Sequence, residues 1–185
     1  MKNKPLPLHT LELRVRELGQ LFNSMDPTPF LNKDLDPAAE AFIESWALGF
    51  PPASKLHLTI HLERSPDKSD PGALLTEAIH NHFQYKSDLV RRDLKDLFRQ
   101  GRTSLLIGLV FVVICLVAAD LISKAGTGTA FTIARESLTI VGWVAMWKPL
   151  QTFLYDWWPL VRRIRTFAAL TRAQIRVVVT APVVA

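Results

Sequence analysis

Histidine and aspartate are the side chains here whose chemistry most invites a site. His57 and His61 share the polar face of "KLHLTIHLE" (55–63), four residues apart. About 13 Å of extended chain separates them, so one metal ion does not bridge both. His80 and His82 lie two apart in a helical run and point about 200° away from each other. The string "HNH" at 80–82 is three letters of a nuclease motif that needs its residues spread over a ββα-metal fold. Asp26, Asp34 and Asp36 crowd one loop. Close carboxylates suit acid–base work or a cation, and they suit turns and helix caps as well. The chain has no HExxH, GxGxxG, GxxxxGK[ST], GxSxG or SxxK pattern. No catalytic residue, metal or cofactor is therefore nominated. A membrane-tethered enzyme using His57, His61 and Asp36 stays open as an alternative.

Lys148 is the sharpest anomaly. It sits inside "GWVAMWKPLQTFLYDWWPL" (142–160), a stretch otherwise apolar enough for a membrane. It lies about 12 Å along a helix from Asp156 at the polar edge. A lysine at such depth costs on the order of 3 kcal/mol on insertion scales. Helical side chains tilt toward the N-terminus, which is against the direction of that edge. Pro149 removes a backbone donor, frees the carbonyl of Ala145 and predicts a bend. Gln151 and Thr152 are the expected polar company of the ammonium. Asp120, at the far end of the preceding apolar run, is not an obvious partner. Lys148, Pro149, Asp156 and Asp120 are the functional candidates in this region, through a charge that faces a partner or a polar pathway.

The elements that position these residues follow from pattern. "LHTLELRVREL" (8–18) and 55–63 alternate with period two, as half-buried strands do. Asp36 before Pro37 starts a helix over about 37–48, expected to bury Ala38 and Phe42, with Trp46 a further candidate; "GFPP" (49–52) stops it. Strand, helix, strand favours a parallel pair. After a turn at 64–72, residues 73–100 read as a long amphipathic helix with Leu75, Ile79, Phe83, Val90, Leu94 and Leu97 on its apolar face. Asp88 and Arg92 suit an i,i+4 pair. Gly101 marks an expected break or bend.

Residues 105–119, "LLIGLVFVVICLVAA", hold no polar side chain except Cys115. Extended to Ile122, the run rises roughly 27 Å as a helix, close to the hydrocarbon thickness of a bilayer. A second span is expected at about 137–155, after a short link at 123–136 whose "GTG" (126–128) is a turn. Ser104, Gly108, Cys115 and Ala119 fall on a stripe about 60° wide, the kind of small-residue face that lets another helix approach. Gly142, Pro149 and Asp156 repeat every seven residues on the second span. Trp143, Trp147, Leu150, Leu154 and Trp158 fan over another face, toward lipid or a partner. Tyr155, Trp157 and Trp158 suit an interfacial belt.

Charge gives orientation. Residues 1–103 carry 14 Lys/Arg and 14 Asp/Glu, residues 104–158 three of each, and the last 27 residues five Arg and no acid. Cations flank the two apolar runs on one side and are sparse in the link, so both termini are expected in the cytoplasm. The basic tail reads as orientation and attraction to anionic lipid rather than nucleic acid. "MKNKPLPLHT" has no apolar region, so no cleaved signal peptide is expected. The single cysteine excludes an intramolecular disulfide and a CxxC site. "QIRVVVT" (174–180) alternates weakly and could return as a strand beside the first two.

The expected fold class is therefore a membrane protein: a two-helix transmembrane hairpin (104–158, spans at about 104–122 and 137–155) with a small α/β cytoplasmic domain (1–103) and a basic tail (159–185). "ESLTIVGWVAMWKPLQTFLYDWWPL", "LRVRELGQLFNSMDPTPF" and "DLDPAAEAFIESWA" together resemble a group of bacterial two-span inner-membrane proteins with an N-terminal cytoplasmic part and no assigned activity. The resemblance implies topology and location in the bacterial inner membrane, and brings no site residue. The expected function is a membrane-anchored interaction module or accessory subunit, with lipid and a protein partner or a second copy as partners. An oligomeric transport or conduction component using Lys148 is the alternative.

Overall fold

The computed structural model describes residues 7–51, 54–63, 71–126 and 128–179. Its elements are β1 (Leu8–Val15), α1 (Pro37–Leu48), β2 (Lys55–Leu62), α2 (Pro71–Ala125), α3 (Thr129–Ala145), α4 (Trp147–Gln151), a π-helical turn (Thr152–Asp156), α5 (Trp157–Leu170) and β3 (Gln174–Val179). Two compact units result: Met1–Arg91 with Val161–Ala185, and Arg92–Leu160. Both ends of the chain thus belong to the first unit, whereas the sequence suggested divisions at 103/104 and 158/159.

The first unit is a three-stranded sheet in the order β1-β2-β3, parallel throughout. Leu11, Leu13 and Val15 pair with Leu58, Ile60 and Leu62, and these pair in turn with Ile175, Val177 and Val179. That row forms the covered face, with Leu56, Leu58, Ile60 and Leu62 all buried. The connection from β2 to β3 runs through every residue from 63 to 173, so the last strand joins its neighbour only after the whole second unit. β3 stands where the weak alternation of 174–180 placed it; Thr180 and the turn residues 64–70 lie outside the described residues.

α1 occupies the expected span. The Asp36 carboxylate accepts the amides of Ala38 (2.9 Å) and Ala39 (3.3 Å), a cap that contributes about 1 kcal/mol. Its inward face is not the expected one. Ile43 and Ala47 are buried, while Phe42 is 53% exposed. The rotation follows from Glu40, which shares the Ile43–Ala47 face and reaches Lys86 on α2 at 3.0 Å. Leu75, Ala78, Ile79, Phe83 and Val90 of α2 are buried with Phe167 and Leu170 of α5. Phe83 stacks on Phe167 at 6.0 Å between ring centres. Arg163 of α5 holds Glu44 of α1 through two N–H···O contacts, of 2.6 and 3.1 Å. Residues 21–36 form a loop with its own core, in which Leu21, Phe22 and Leu35 are buried and Phe22 bridges to Leu35.

α2 continues through Gly101 without interruption, so of the break or bend read from that glycine the break does not occur. It is the one helix among the described residues long and apolar enough to cross a membrane. The expected second span at 137–155 is not a single helix. α3 starts earlier, at Thr129, which shortens the link to 126–128. It then ends at Ala145, four residues before Pro149, because the proline supplies no amide for the Ala145 carbonyl. A π-helical turn follows at 152–156 and strains the i→i−4 ladder again. There the indole N–H of Trp157 donates to the Phe153 carbonyl at 2.9 Å.

Candidate functional site

Each unit holds one arrangement whose residue types invite a function. In the second unit, α2 and the segment after it approach closely enough to need glycine. A β-carbon on Gly101 would lie 3.1 Å from Thr152 Cγ2, one on Gly108 3.2 Å from Met146 Sδ, and one on Gly142 3.2 Å from the Cys115 β-carbon. Positions ascend on one strand of contacts (101, 108, 115) while they descend on the other (152, 146, 142), so the two segments run antiparallel. The spacing of seven on α2 is the period at which a helix keeps one face toward a partner. Gly108, Cys115 and Ala119 are buried in this seam and Ser104 is half-buried. Opposite them, Gly142 and Pro149 are buried and Asp156 is half-buried. Gly101 completes the stripe, a residue that its poor helix propensity disguised as a terminator.

Around the seam the surface is apolar. Leu106, Ile107, Leu109, Val110, Val113, Ile114, Val117 and Leu121 of α2 are all more than half exposed or close to it, as are Trp143, Val144, Trp147, Leu154 and Trp158 on the returning segment. Lys148 is exposed on that same surface, and no ion pair holds it among the described residues. Thr152, expected beside the ammonium, is buried and turned the other way. Its hydroxyl lies 3.2 Å from both the Lys148 carbonyl and Asp156 Oδ2, which share its one proton. Asp120 is used locally, in a 2.6 Å contact with Lys124 one turn on. The four charged or kinking candidates of this region are therefore dispersed: Asp120 to Lys124, Asp156 to Thr152, Pro149 into the seam, and Lys148 outward.

In the first unit the densest cluster is one the sequence did not single out. His82 of α2 is buried. Its Nδ1 lies 3.1 Å from Asp34 Oδ1 and its Nε2 3.4 Å from Glu40 Oε2. The Leu35 amide also points to Nδ1, at 3.3 Å. With Nδ1 bare the ring accepts that amide, and with a proton on Nδ1 it donates to Asp34, so the two arrangements exclude one another at one nitrogen. The Nε2–Glu40 approach is an electrostatic contact without hydrogen-bond geometry. Burial pushes the Glu40 carboxyl up, but His82 and Lys86 together outweigh it and hold it below the usual carboxylate range. Asp26 is likewise lowered, by the amides of Asp34 and Thr28 that its oxygens accept. Asp34 ties the 21–36 loop to α2 through His82, while Asp26 braces the loop from within. The two carboxylates meet opposite nitrogens of the His82 ring and share no point where one ion would touch all three. Among the described residues no group of His, Cys, Asp or Glu has the geometry of a metal site. A signal for His82 existed: it falls on the Leu75–Ile79–Phe83 stripe, and a polar residue there needs partners.

The other histidines are spread out. His80 Nε2 donates to the Ala173 carbonyl at 2.9 Å, tying α2 to the entry of β3. His57 and His61 lie on the polar row of the sheet, in register with Gln174 and Val178. His61 Nε2 is 3.8 Å from Glu12. Asp36 caps α1, and no contact joins it to His57 or His61 among the described residues. On α2 the expected Asp88–Arg92 pair is replaced by Arg91–Asp88 at 3.3 Å.

In comparisons with protein-family models, curated proteins and solved structures, this chain matches none of them.

Proposed function

We propose that this chain is an integral membrane protein of the bacterial inner-membrane type. In this reading 104–125 and the segment from 129 to about 156 form a transmembrane hairpin that holds the α/β unit at the cytoplasmic face, where it binds a protein partner. The observation that carries the reading is the collar of exposed apolar side chains around a narrow buried seam of small residues. In water a contiguous apolar surface of that extent drives association, whereas in lipid it is the required exterior. Sheet topology supports entry and exit on one side, independently of charge. Strands before and after the hairpin share one sheet, which fits a chain that leaves and re-enters the membrane on one face.

The partner is argued from the sheet. Parallel sheets are ordinarily covered on both faces. Here the second row holds Thr10, Glu12, Arg14, His57, Thr59, His61 and Arg176 with the apolar Leu8 and Val178, and is mostly polar and half-exposed to exposed. Both outer strands also lack a neighbour among the described residues. An accessory-subunit role fits a folded unit whose polar cluster ties its own loop and helices together. The test is extraction from native membranes in mild detergent, with mass analysis of the intact complex. A species that disappears when Arg14 and Arg176 are changed to Glu supports the reading; a lone monomer under all conditions overturns it.

A second reading rests on Lys148, exposed and unpaired on an apolar surface. Two spans enclose no pathway, so several copies would be needed to line one with this residue. Flux through liposomes that is unaffected by Lys148→Leu removes this alternative.

A further inference from the structure

Three of the seven cations of α2 are engaged in ion pairs: Lys86 with Glu40, Arg91 with Asp88 and, at the far end, Lys124 with Asp120. Lys95, Arg99 and Arg102, like Arg92, have no ion pair among the described residues. Lys95, Arg99 and Arg102 stand at i, i+4 and i+7, within a stripe about 60° wide and 10 Å tall. The stripe borders an open groove of about 630 Å³ lined by these three residues with Asp96, Phe98 and Phe153. The floor is aromatic: Phe98 and Phe153 stack at 6.2 Å between centres. Gly101 lets Phe153 come that close, since a β-carbon there would sit 3.3 Å from its ring. One turn beyond Arg102, the exposed apolar surface of α2 begins at Leu105 and Leu106.

We propose that this groove seats the headgroup of an anionic phospholipid, with the phosphodiester on Lys95, Arg99 and Arg102 and the glycerol end of the lipid on the two phenylalanine rings. Guanidinium groups match phosphate oxygens in pairs, and the lysine adds a point charge. The lining carries three positive charges and one negative, so one or two phosphates neutralise it. Position selects lipid over a free phosphate: the acyl chains of a lipid held here lie directly on the apolar collar, whereas a soluble anion gains only the charge. Basic grooves between helices at a membrane face are a recognised mode of anionic-lipid binding. The inference rests on the membrane reading proposed above.

The experiment uses the full chain purified in detergent. Retained lipid is measured by mass spectrometry, and melting temperature is measured with added phosphatidylglycerol, cardiolipin or phosphatidylcholine of equal acyl chains. The expected result is retention and a raised melting temperature with the anionic lipids only. Lys95→Gln/Arg99→Gln/Arg102→Gln should bind roughly 100-fold more weakly, at about fivefold per charge. Arg99→Gln alone, a milder change should the triple variant fold poorly, should lose about fivefold. Lys124→Gln/Arg135→Gln, at the other end of the apolar segment, should bind as the parent does. Equal response to phosphatidylcholine, or unchanged binding in Arg99→Gln, overturns the proposal. So does inorganic phosphate or glycerol phosphate giving the full effect, which would mark a soluble-anion site. Resistance of the parent protein to alkaline carbonate extraction reports the membrane reading separately.

Discussion

Changing Gly142 to cysteine tests the antiparallel seam with the one thiol the chain already has. A β-carbon built on Gly142 lies 3.2 Å from the Cys115 β-carbon and 3.9 Å from its sulfur. Disulfides span about 3.5–4.5 Å between β-carbons, so the helices need to part by only a few tenths of an ångström. Cys115 is the sole cysteine and is buried, which keeps competing partners away. Closing a loop of about 28 residues stabilises the packed state by roughly 3–4 kcal/mol in the chain-entropy estimate, less the strain of that small separation. The assay oxidises Gly142→Cys in membranes and counts free thiols with a mass-tagged maleimide after denaturation. The expected count is none when oxidised and two after reduction, with the chain remaining monomeric. Val144→Cys, rotated by about 200° and exposed, should keep both thiols free or link two chains. If Gly142→Cys forms only intermolecular links, or Val144→Cys closes within the chain equally well, the seam as described is wrong.

Two further outcomes follow from packing and charge. Gly101→Leu should destabilise the second unit by about 1–3 kcal/mol, read as a lower midpoint in denaturing detergent, because Thr152 and Phe153 occupy the space; Gly101→Ala should be far milder, its gain in helix propensity opposing its crowding. Glu40→Gln should cost about 1–3 kcal/mol at neutral pH through the loss of its charge-assisted contacts. The folded Glu40 carboxyl titrates below its ordinary value of 4.5. Its contribution is therefore complete above about pH 4.5 and is lost as the pH falls through the lowered folded value. Melts between pH 6 and 3 should show a steeper acid loss in the parent than in Glu40→Gln, and equal slopes would refute the assignment.

Local rules made much of this chain legible. Asp36–Pro37 marks a helix start by itself, and the alternation of Leu56, Leu58, Ile60 and Leu62 marks a strand without reference to anything distant. Gly108, Cys115 and Ala119 show a seam because helical spacing alone aligns them. Features that depend on distant partners were hidden. Phe42 looks like the core residue of α1 until Glu40 is seen to be claimed by Lys86. Gly101 reads as a terminator because propensity counts backbone entropy and not the phenylalanine that needs the gap. His82 meets residues 42 and 48 positions away, and no period links them. Thr152 looks available to Lys148 from spacing, but the Pro149 break and the π-helical turn rotate it into the seam.

The central claim is that the apolar stretch of α2 and the segment after 128 cross a membrane and return, leaving the α/β unit whole on one side. Single cysteines at Gln84→Cys, Gly128→Cys and Arg172→Cys, each in a Cys115→Ala background, test it with a membrane-impermeant maleimide applied to intact cells and to inverted vesicles. The account predicts that Gly128→Cys labels only from outside, and that Gln84→Cys and Arg172→Cys label only from the cytoplasmic face. Labelling of Gln84→Cys and Arg172→Cys from opposite faces, or of all three from one face, would contradict it.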